Sequence, residues 1–229
     1  MKKTNPKIFI AYDDLIKEEE KHLEMMGVLC KTFGNQVGVK VNLDYVLQKG
    51  FGTIPRLPLS ESSLFVDLKI WNGSRTMGDV FNELYKFGVD YSNVYSLADT
   101  EIKKALEKDH PQILGLTVLS HYTDAYCQKF FGKNLNETTK LLAQTAVENG
   151  CSGIILPGTT LEAVAEIDSS IIRVVPGIRP SWYEDKRHPQ EIEPRMAIEK
   201  GATILVIGSP IMKSPDPIVA TQRILDEIS

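Results

Sequence analysis

Long apolar runs are missing from this sequence. No stretch approaches the about 18 consecutive apolar residues of a membrane-spanning helix. The opening Met-Lys-Lys-Thr-Asn-Pro leads into a strand-like run rather than a secretory apolar segment. No membrane association is expected, and the chain is expected in the cytoplasm. Cysteine is scarce: Cys30, Cys127 and Cys151 stand far apart, match no zinc or redox spacing, and read as reduced thiols. No histidine pair has HxH or HExxH spacing, so no metal site is expected. There is no GxSxG elbow, no Walker A sequence and no glycine-rich dinucleotide fingerprint after the first strand-like run. Positive charge is not in excess either. With 26 Lys+Arg against 30 Asp+Glu the net charge is -4, which argues against a strongly basic binder of nucleic acid polymers.

What the chain does contain is a recurring alternation. Short runs rich in Val, Ile or Leu lie at 8–12, 37–42, 64–69, 92–96, 113–119, 153–157, 172–177 and 203–208, each about one strand long and bounded by Gly, Pro, Asn or Asp. Near-continuous apolar runs suit strands buried on both faces, hence a parallel sheet with helices outside. Helices are predicted over 15–33, 77–87, 136–148, 194–200 and 217–228. The phrases KFGVDYSNV, ENGCSGIIL and EKGATILVI each read as helix, glycine, short turn, strand. Eight strand candidates alternating with helices predict a (β/α)8 barrel, with a doubly wound open sheet as runner-up. No Pro/Gly/Ser-rich linker divides the chain, so residues 1–229 are read as one domain. Segment 50–63, with Pro55 and Pro58, reads as a longer connection with room for one short helix.

In such a barrel the functional groups sit at the C-terminal ends of the strands. Those positions hold Asp13-Asp14, Lys40, Asp67-Leu68-Lys69 followed by Trp71-Asn72-Gly73, Ser120-His121, Pro176-Gly177-Ile178-Arg179, and Gly208-Ser209. Asp67 and Lys69 carry the most information. Residues i and i+2 of a strand share a face, so both side chains should point into the barrel mouth. Lys40 on the neighbouring strand reaches the same place. Inward charge is costly unless compensated, and an alternating Lys/Asp/Lys set compensates it while leaving one ammonium available as an acid. Among the histidines, His121 is a candidate for the mouth. His22 reads as a surface residue, His110 as structural and His188 as solvated. Trp71 and Trp182 lie in loops of the functional face, where stacking on a ligand and packing are both open.

These residues resemble the orotidine 5′-phosphate decarboxylase family. VVPGIRP and AIEKGATILVIGSPI carry the likeness in the last third, FVDLKIWN is similar to the strand-three signature Asp-x-Lys-x-x-Asp-Ile, and IAYDD, VGVKVN and LTVLS resemble strands one, two and five. The resemblance covers most of the chain. It implies a barrel, a homodimer, and cofactor-independent decarboxylation of a 6-carboxylated pyrimidine nucleotide to UMP in de novo pyrimidine synthesis. It assigns Asp13 to the ribose hydroxyls, Lys40 to the charged network and Asp67 to crowding of the substrate carboxylate. Lys69 would stabilise and protonate the C6 carbanion, Ser120 would bond the pyrimidine, and Arg179 would approach the phosphate. Pro176, Gly208 and Ser209 are the remaining strand-end positions expected to line the substrate.

The chain departs from the family pattern at five places. Asn72 stands for the second Asp of the signature, which in the family reaches the neighbouring subunit's site, and Gly73 stands for the following Ile. Ser209 stands for a phosphate-binding Arg, Asp185 for a phosphate-contacting Gln, and Tyr95 for a His. Lys186, Arg187 or Lys213 are candidates to replace the Arg, and Asp79 or Asp99 to fill the place left by Asn72. Two alternatives therefore stand beside the decarboxylase: a paralogue of the same barrel group acting on another phosphorylated carboxylate, and a weakly active or inactive nucleotide-binding paralogue.

Overall fold

A computed structural model describes residues 4–13, 15–184 and 190–229. Asp14, Asp185, Lys186, Arg187 and His188, named above, lie outside the described residues. Eight parallel strands close into a barrel in chain order: β1 (Ile8–Ala11), β2 (Val37–Asn42), β3 (Ser63–Ile70), β4 (Tyr91–Tyr95), β5 (Gln112–Leu116), β6 (Gly153–Ile155), β7 (Ile172–Val175) and β8 (Ile204–Ile207). Pairing of Ile8 with Leu205 closes the ring. The helices are α1 (Glu19–Phe33), α2 (Leu43–Lys49), α3 (Ser74–Lys86), α4 (Thr100–Ala105), α5 (Asp124–Phe131), α6 (Leu135–Glu148), α7 (Pro194–Glu199), α8 (Ser209–Met212) and α9 (Pro217–Glu227). Among the described residues, no helix is long and apolar enough to cross a membrane.

The strand alternation sorts side chains into two cores. Ile8 and Ile10 of β1, Val37, Val39 and Val41 of β2, and Leu64 and Val66 of β3 face outward and pack under the helices. Phe9, Phe65, Tyr91, Leu114, Ile155, Val174, Ile204 and Val206 fill the barrel interior. Each such Val, Ile or Phe contributes about 1.5–3 kcal/mol relative to exposure. The Phe9 ring lies 5.3 Å from Phe65 and 5.1 Å from Tyr91 by centroid. Gly38 makes room for it, since a Cβ there would stand 2.5 Å from Phe9 Cε1. Phe65 of this aromatic layer lines the polar mouth, and Phe9 packs against it.

The three helix-glycine-turn-strand phrases are realised by Gly88, Gly150 and Gly201, at φ 75°, 87° and 96°, a region L side chains avoid. Capping fixes other helix starts. Asn134 and Glu137 form a reciprocal capping box before α6, and Asp216 caps α9 ahead of Pro217.

The expected boundaries shift in consistent ways. β1 ends at Ala11 rather than Tyr12, and β5 ends at Leu116, so Thr117 to His121 belong to the loop above it. Helix 15–33 begins only at Glu19. α2, α4, α5 and α8 were not expected. Each is eight residues or shorter, and α2 leaves Leu43 and Leu47 exposed, so no apolar stripe marks it. The connection at 50–63 does hold one short 3₁₀ helix, Phe51–Arg56.

Candidate active site

The end of β3 organises the site. Pairing with β4 runs Phe65↔Tyr91 and Val66↔Ser92, then resumes at Ile70↔Val94. Within this irregularity Lys69 takes φ 49°, in the left-handed region. Its Nζ nevertheless returns to the barrel mouth, 2.7 Å from both Asp67 oxygens. Asp67 and Lys69 therefore share the mouth as expected, although through a kinked strand.

Lys40, on β2, completes the array. Its Nζ lies 3.3 Å from Asp67 Oδ2 and 3.0 Å from Asp13 Oδ1, and it donates to Asn42 Oδ1. Lys40 and Asp67 are 6% and 8% exposed, whereas the Lys69 side chain is 40% exposed and so faces the open cavity. Burial alone would raise the Asp67 carboxyl. The Lys40 and Lys69 charges, with hydrogen bonds from Lys69 and Asn93, outweigh it and hold the pKa below the ordinary carboxylate value. For Lys40 burial works against the charged form, and Asp67 and Asp13 overcome it, so its pKa is raised.

Two members of this network were not anticipated. Asn42 donates to Asp13 Oδ1 at 3.1 Å. It lies two residues after Lys40, so the alternation that linked Asp67 to Lys69 could have found it. Asn93 is fully buried on β4 and donates to Asp67 Oδ1 at 2.7 Å. Only the register between β3 and β4 reveals that contact.

A cavity of about 470 Å³ opens at the mouth. Asp13, Lys40, Asn42, Asp67, Lys69 and Asn93 form one side, and Ser120, His121, Pro176, Arg179, Gly208 and Ser209 line the rest. Arg179 is anchored, with Nε 3.5 Å from Glu191 Oε1 and its Nη1 donating to the Ile178 carbonyl at 2.9 Å. The segment beyond β7 folds back on itself here, because Arg179 N–H donates to the Ile192 carbonyl at 2.9 Å. A second groove of about 790 Å³ adjoins the cavity and shares Asp13, Arg179, Gly208 and Ser209 with it; Lys213 lies on its wall. Asp13 and Gly208 meet where the two join, a Cβ at Gly208 standing 3.5 Å from Asp13 Oδ2.

Other candidates are placed elsewhere. Asn72 is exposed, outside the cavity lining, and accepts the Gly73 N–H at 2.8 Å. Neither proposed substitute carboxylate takes its place: Asp79 pairs with Lys108 and Arg75, and Asp99 accepts from Asn149. His22 is half-buried rather than a surface residue, its ring 6.3 Å from Tyr12, because α1 lays that face over the end of β1. His110 serves locally, its Nδ1 2.7 Å from the Pro111 carbonyl oxygen. Trp182 packs against the outer core, with the Arg223 guanidinium 4.9 Å from its ring. Trp71 is 61% exposed, 6.5 Å from the Tyr95 ring. Burial, followed by the Asp67 charge, raises the Tyr95 pKa.

An apolar-floored cavity with an ammonium held against a buried carboxylate suits stabilisation of negative charge developing on a bound ligand. Comparison with known proteins agrees with this architecture. The family model described as "Orotidine 5'-phosphate decarboxylase / HUMPS family" matches residues 13–224. Orotidine 5′-phosphate decarboxylase of Nautilia profundicola is 29% identical, over 97% of this chain and 98% of the relative. The protein of the same name from Methylacidiphilum infernorum is 33% identical, over 83% of this chain and 85% of the relative. The crystal structure of orotidine 5′-phosphate decarboxylase from Lactobacillus acidophilus superposes with a TM-score of 0.80 at 25% identity, covering 99% of this chain and 100% of that one.

Proposed function

Because this chain belongs to the orotidine 5′-phosphate decarboxylase / HUMPS family, we propose that it converts orotidine 5′-phosphate to UMP and carbon dioxide in pyrimidine synthesis, without metal or organic cofactor. The observation that carries the reading is the Lys40–Asp67–Lys69 array at the mouth of the cavity.

In this reading the pyrimidine sits with its carboxylate toward Asp67 and Lys69. The bond from C6 to the carboxylate breaks, carbon dioxide leaves, and the electron pair stays on C6. The Lys69 ammonium is already in place where that charge appears, so no reorganisation is needed at the moment of reaction. It then gives a proton to C6 and is reprotonated from water. Asp67 crowds the leaving carboxylate, acting on the ground state. Lys40 keeps Asp67 ionised, which supports both roles. Asp13 takes the ribose hydroxyls, and Ser120 bonds the ring against Pro176. Arg179, Gly208 and Ser209 receive the phosphate. Binding energy from that remote group contributes to the rate when it is realised in the transition state. Asn72 completes the catalytic set across a homodimer, and exposed Trp71 at its side supports a protein contact there. Residence in the cytoplasm is supported by Cys30, Cys127 and Cys151, which are buried and form no disulfide. Residues 1–229 act as one barrel unit.

A UMP titration tests the binding half of this proposal. Saturable binding, weaker than in relatives that keep the phosphate Arg, is expected. No binding of UMP or a C6-substituted analogue at about millimolar ligand, where even ~4 kcal/mol of affinity would register, would overturn it.

A further inference from the structure

We propose that Asn93 is a positioning residue that fixes the backbone turn at Lys69 and the orientation of the Asp67 carboxylate at the same time. For its catalytic consequence the proposal rests on the decarboxylase reading.

The argument begins with register. Between the pairs Val66↔Ser92 and Ile70↔Val94, β3 has Asp67, Leu68 and Lys69 where β4 has Asn93 alone. The surplus residues must bulge, and Lys69 takes up the distortion at φ 49°. A lysine has no intrinsic reason to adopt that conformation, so its surroundings must hold it. Asn93 does so directly. Its Oδ1 accepts the Lys69 main-chain N–H at 2.7 Å, satisfying a donor at the break in the ladder.

The other end of the same amide donates to Asp67 Oδ1 at 2.7 Å. The amide orientation follows from chemistry, since a main-chain N–H can only donate and an ionised carboxylate can only accept. A carboxamide supplies both complements in one rigid plane. Leu at this position would supply neither, and Asp would set a second carboxylate against Asp67. Asn93 is fully buried where it borders the cavity. Through the two bonds it aims Lys69, the one lysine of the array that is substantially open to the cavity.

Two variants test this, near-isosteric Asn93→Leu and the smaller Asn93→Ser, whose hydroxyl retains part of the bonding. In the ligand-free protein, amide hydrogen exchange at Lys69 should quicken at least ~10-fold in Asn93→Leu, with Val66 and Ile70 unchanged. With orotidine 5′-phosphate, kcat should fall at least ~100-fold, the scale of a ligand or catalytic group misplaced by about an ångström. The Kd for UMP should hold within about threefold, since the ribose and phosphate contacts lie elsewhere. Asn93→Ser should fall between. The acid limb of the pH profile should also move to higher pH, because one hydrogen bond holding the Asp67 carboxyl low is lost. Lys40 from β2, Lys69 from β3 and Tyr95 from β4 still face that carboxylate, with Asp13 behind Lys40. Unchanged Lys69 exchange, or unchanged kcat, would overturn the proposal. So would kcat and UMP affinity falling together with Tm in both variants, the pattern of a structural role alone. Absence of turnover in the unsubstituted protein would remove the decarboxylase reading, and the exchange measurement would still decide whether Asn93 holds the turn.

Discussion

The Lys40 ammonium lies 3.3 Å from the Asp67 carboxylate, and both side chains are more than nine-tenths buried. Removing Asp67 leaves Lys69 without its carboxylate and Lys40 facing the largely exposed Asp13, so Asp67→Asn should cost about 3 kcal/mol of stability. The pH dependence follows from the directions of the shifts. The folded pKa of Asp67 is lowered, so its stabilisation is present above its unfolded value of about 3.9 and is lost as pH falls through the folded value. That of Lys40 is raised, so its stabilisation is present below about 10.4 and is lost as pH rises through the folded value. Urea denaturation should therefore give an Asp67→Asn penalty that is constant between about pH 5 and 9 and shrinks below about pH 4.

The aromatic layer of the barrel depends on an absent side chain. A Cβ at Gly38 would stand 2.5 Å from Phe9 Cε1 and 2.9 Å from the Ser63 carbonyl oxygen. Gly38→Ala should destabilise by about 1–3 kcal/mol, as overpacking does. A chemical denaturation midpoint equal to that of the unsubstituted protein would show that Phe9 has room to move.

Ser209 stands where the cavity meets the adjoining groove, which has the volume to admit a longer side chain. Ser209→Arg should tighten UMP binding by about tenfold, the worth of one charge-assisted hydrogen bond to phosphate. Calorimetric titration checks this. Unchanged affinity would mean that the phosphate lies elsewhere.

Asn72 is exposed, and among the described residues its side-chain oxygen bonds the adjacent Gly73 N–H. Asn72→Asp should therefore alter stability by no more than about 0.5 kcal/mol. If the array is completed across a dimer, the same substitution raises turnover, and the gain disappears on dilution below the dimer dissociation constant. Light scattering and activity at matched concentrations separate these outcomes.

The barrel was legible because its strands are buried on both faces, which writes them into the chain as near-continuous apolar runs such as Val37–Val41. α2 was not, because its exposed Leu43 and Leu47 leave no apolar period to read. Lys40, Asp67 and Lys69 could be brought together by strand alternation and adjacency alone. The kink at Lys69 could not, since it arises from a register shift against β4 that no local pattern records. Asn93 was hidden for the same reason. A polar residue between Tyr91 and Tyr95 gains its meaning only from the carboxylate beside it. The role of Asn72 was drawn from resemblance, and among the described residues its side-chain oxygen bonds its own loop.

Orotidine 5′-phosphate turnover, followed by ultraviolet absorbance in the unsubstituted protein and in Lys69→Ala, tests the central claim most directly. The account predicts measurable turnover that falls by at least ~1,000-fold when the ammonium is removed, the scale of losing a preorganised group that stabilises transition-state charge, while UMP still binds. Turnover that survives Lys69→Ala, or its absence in the unsubstituted protein, would contradict it.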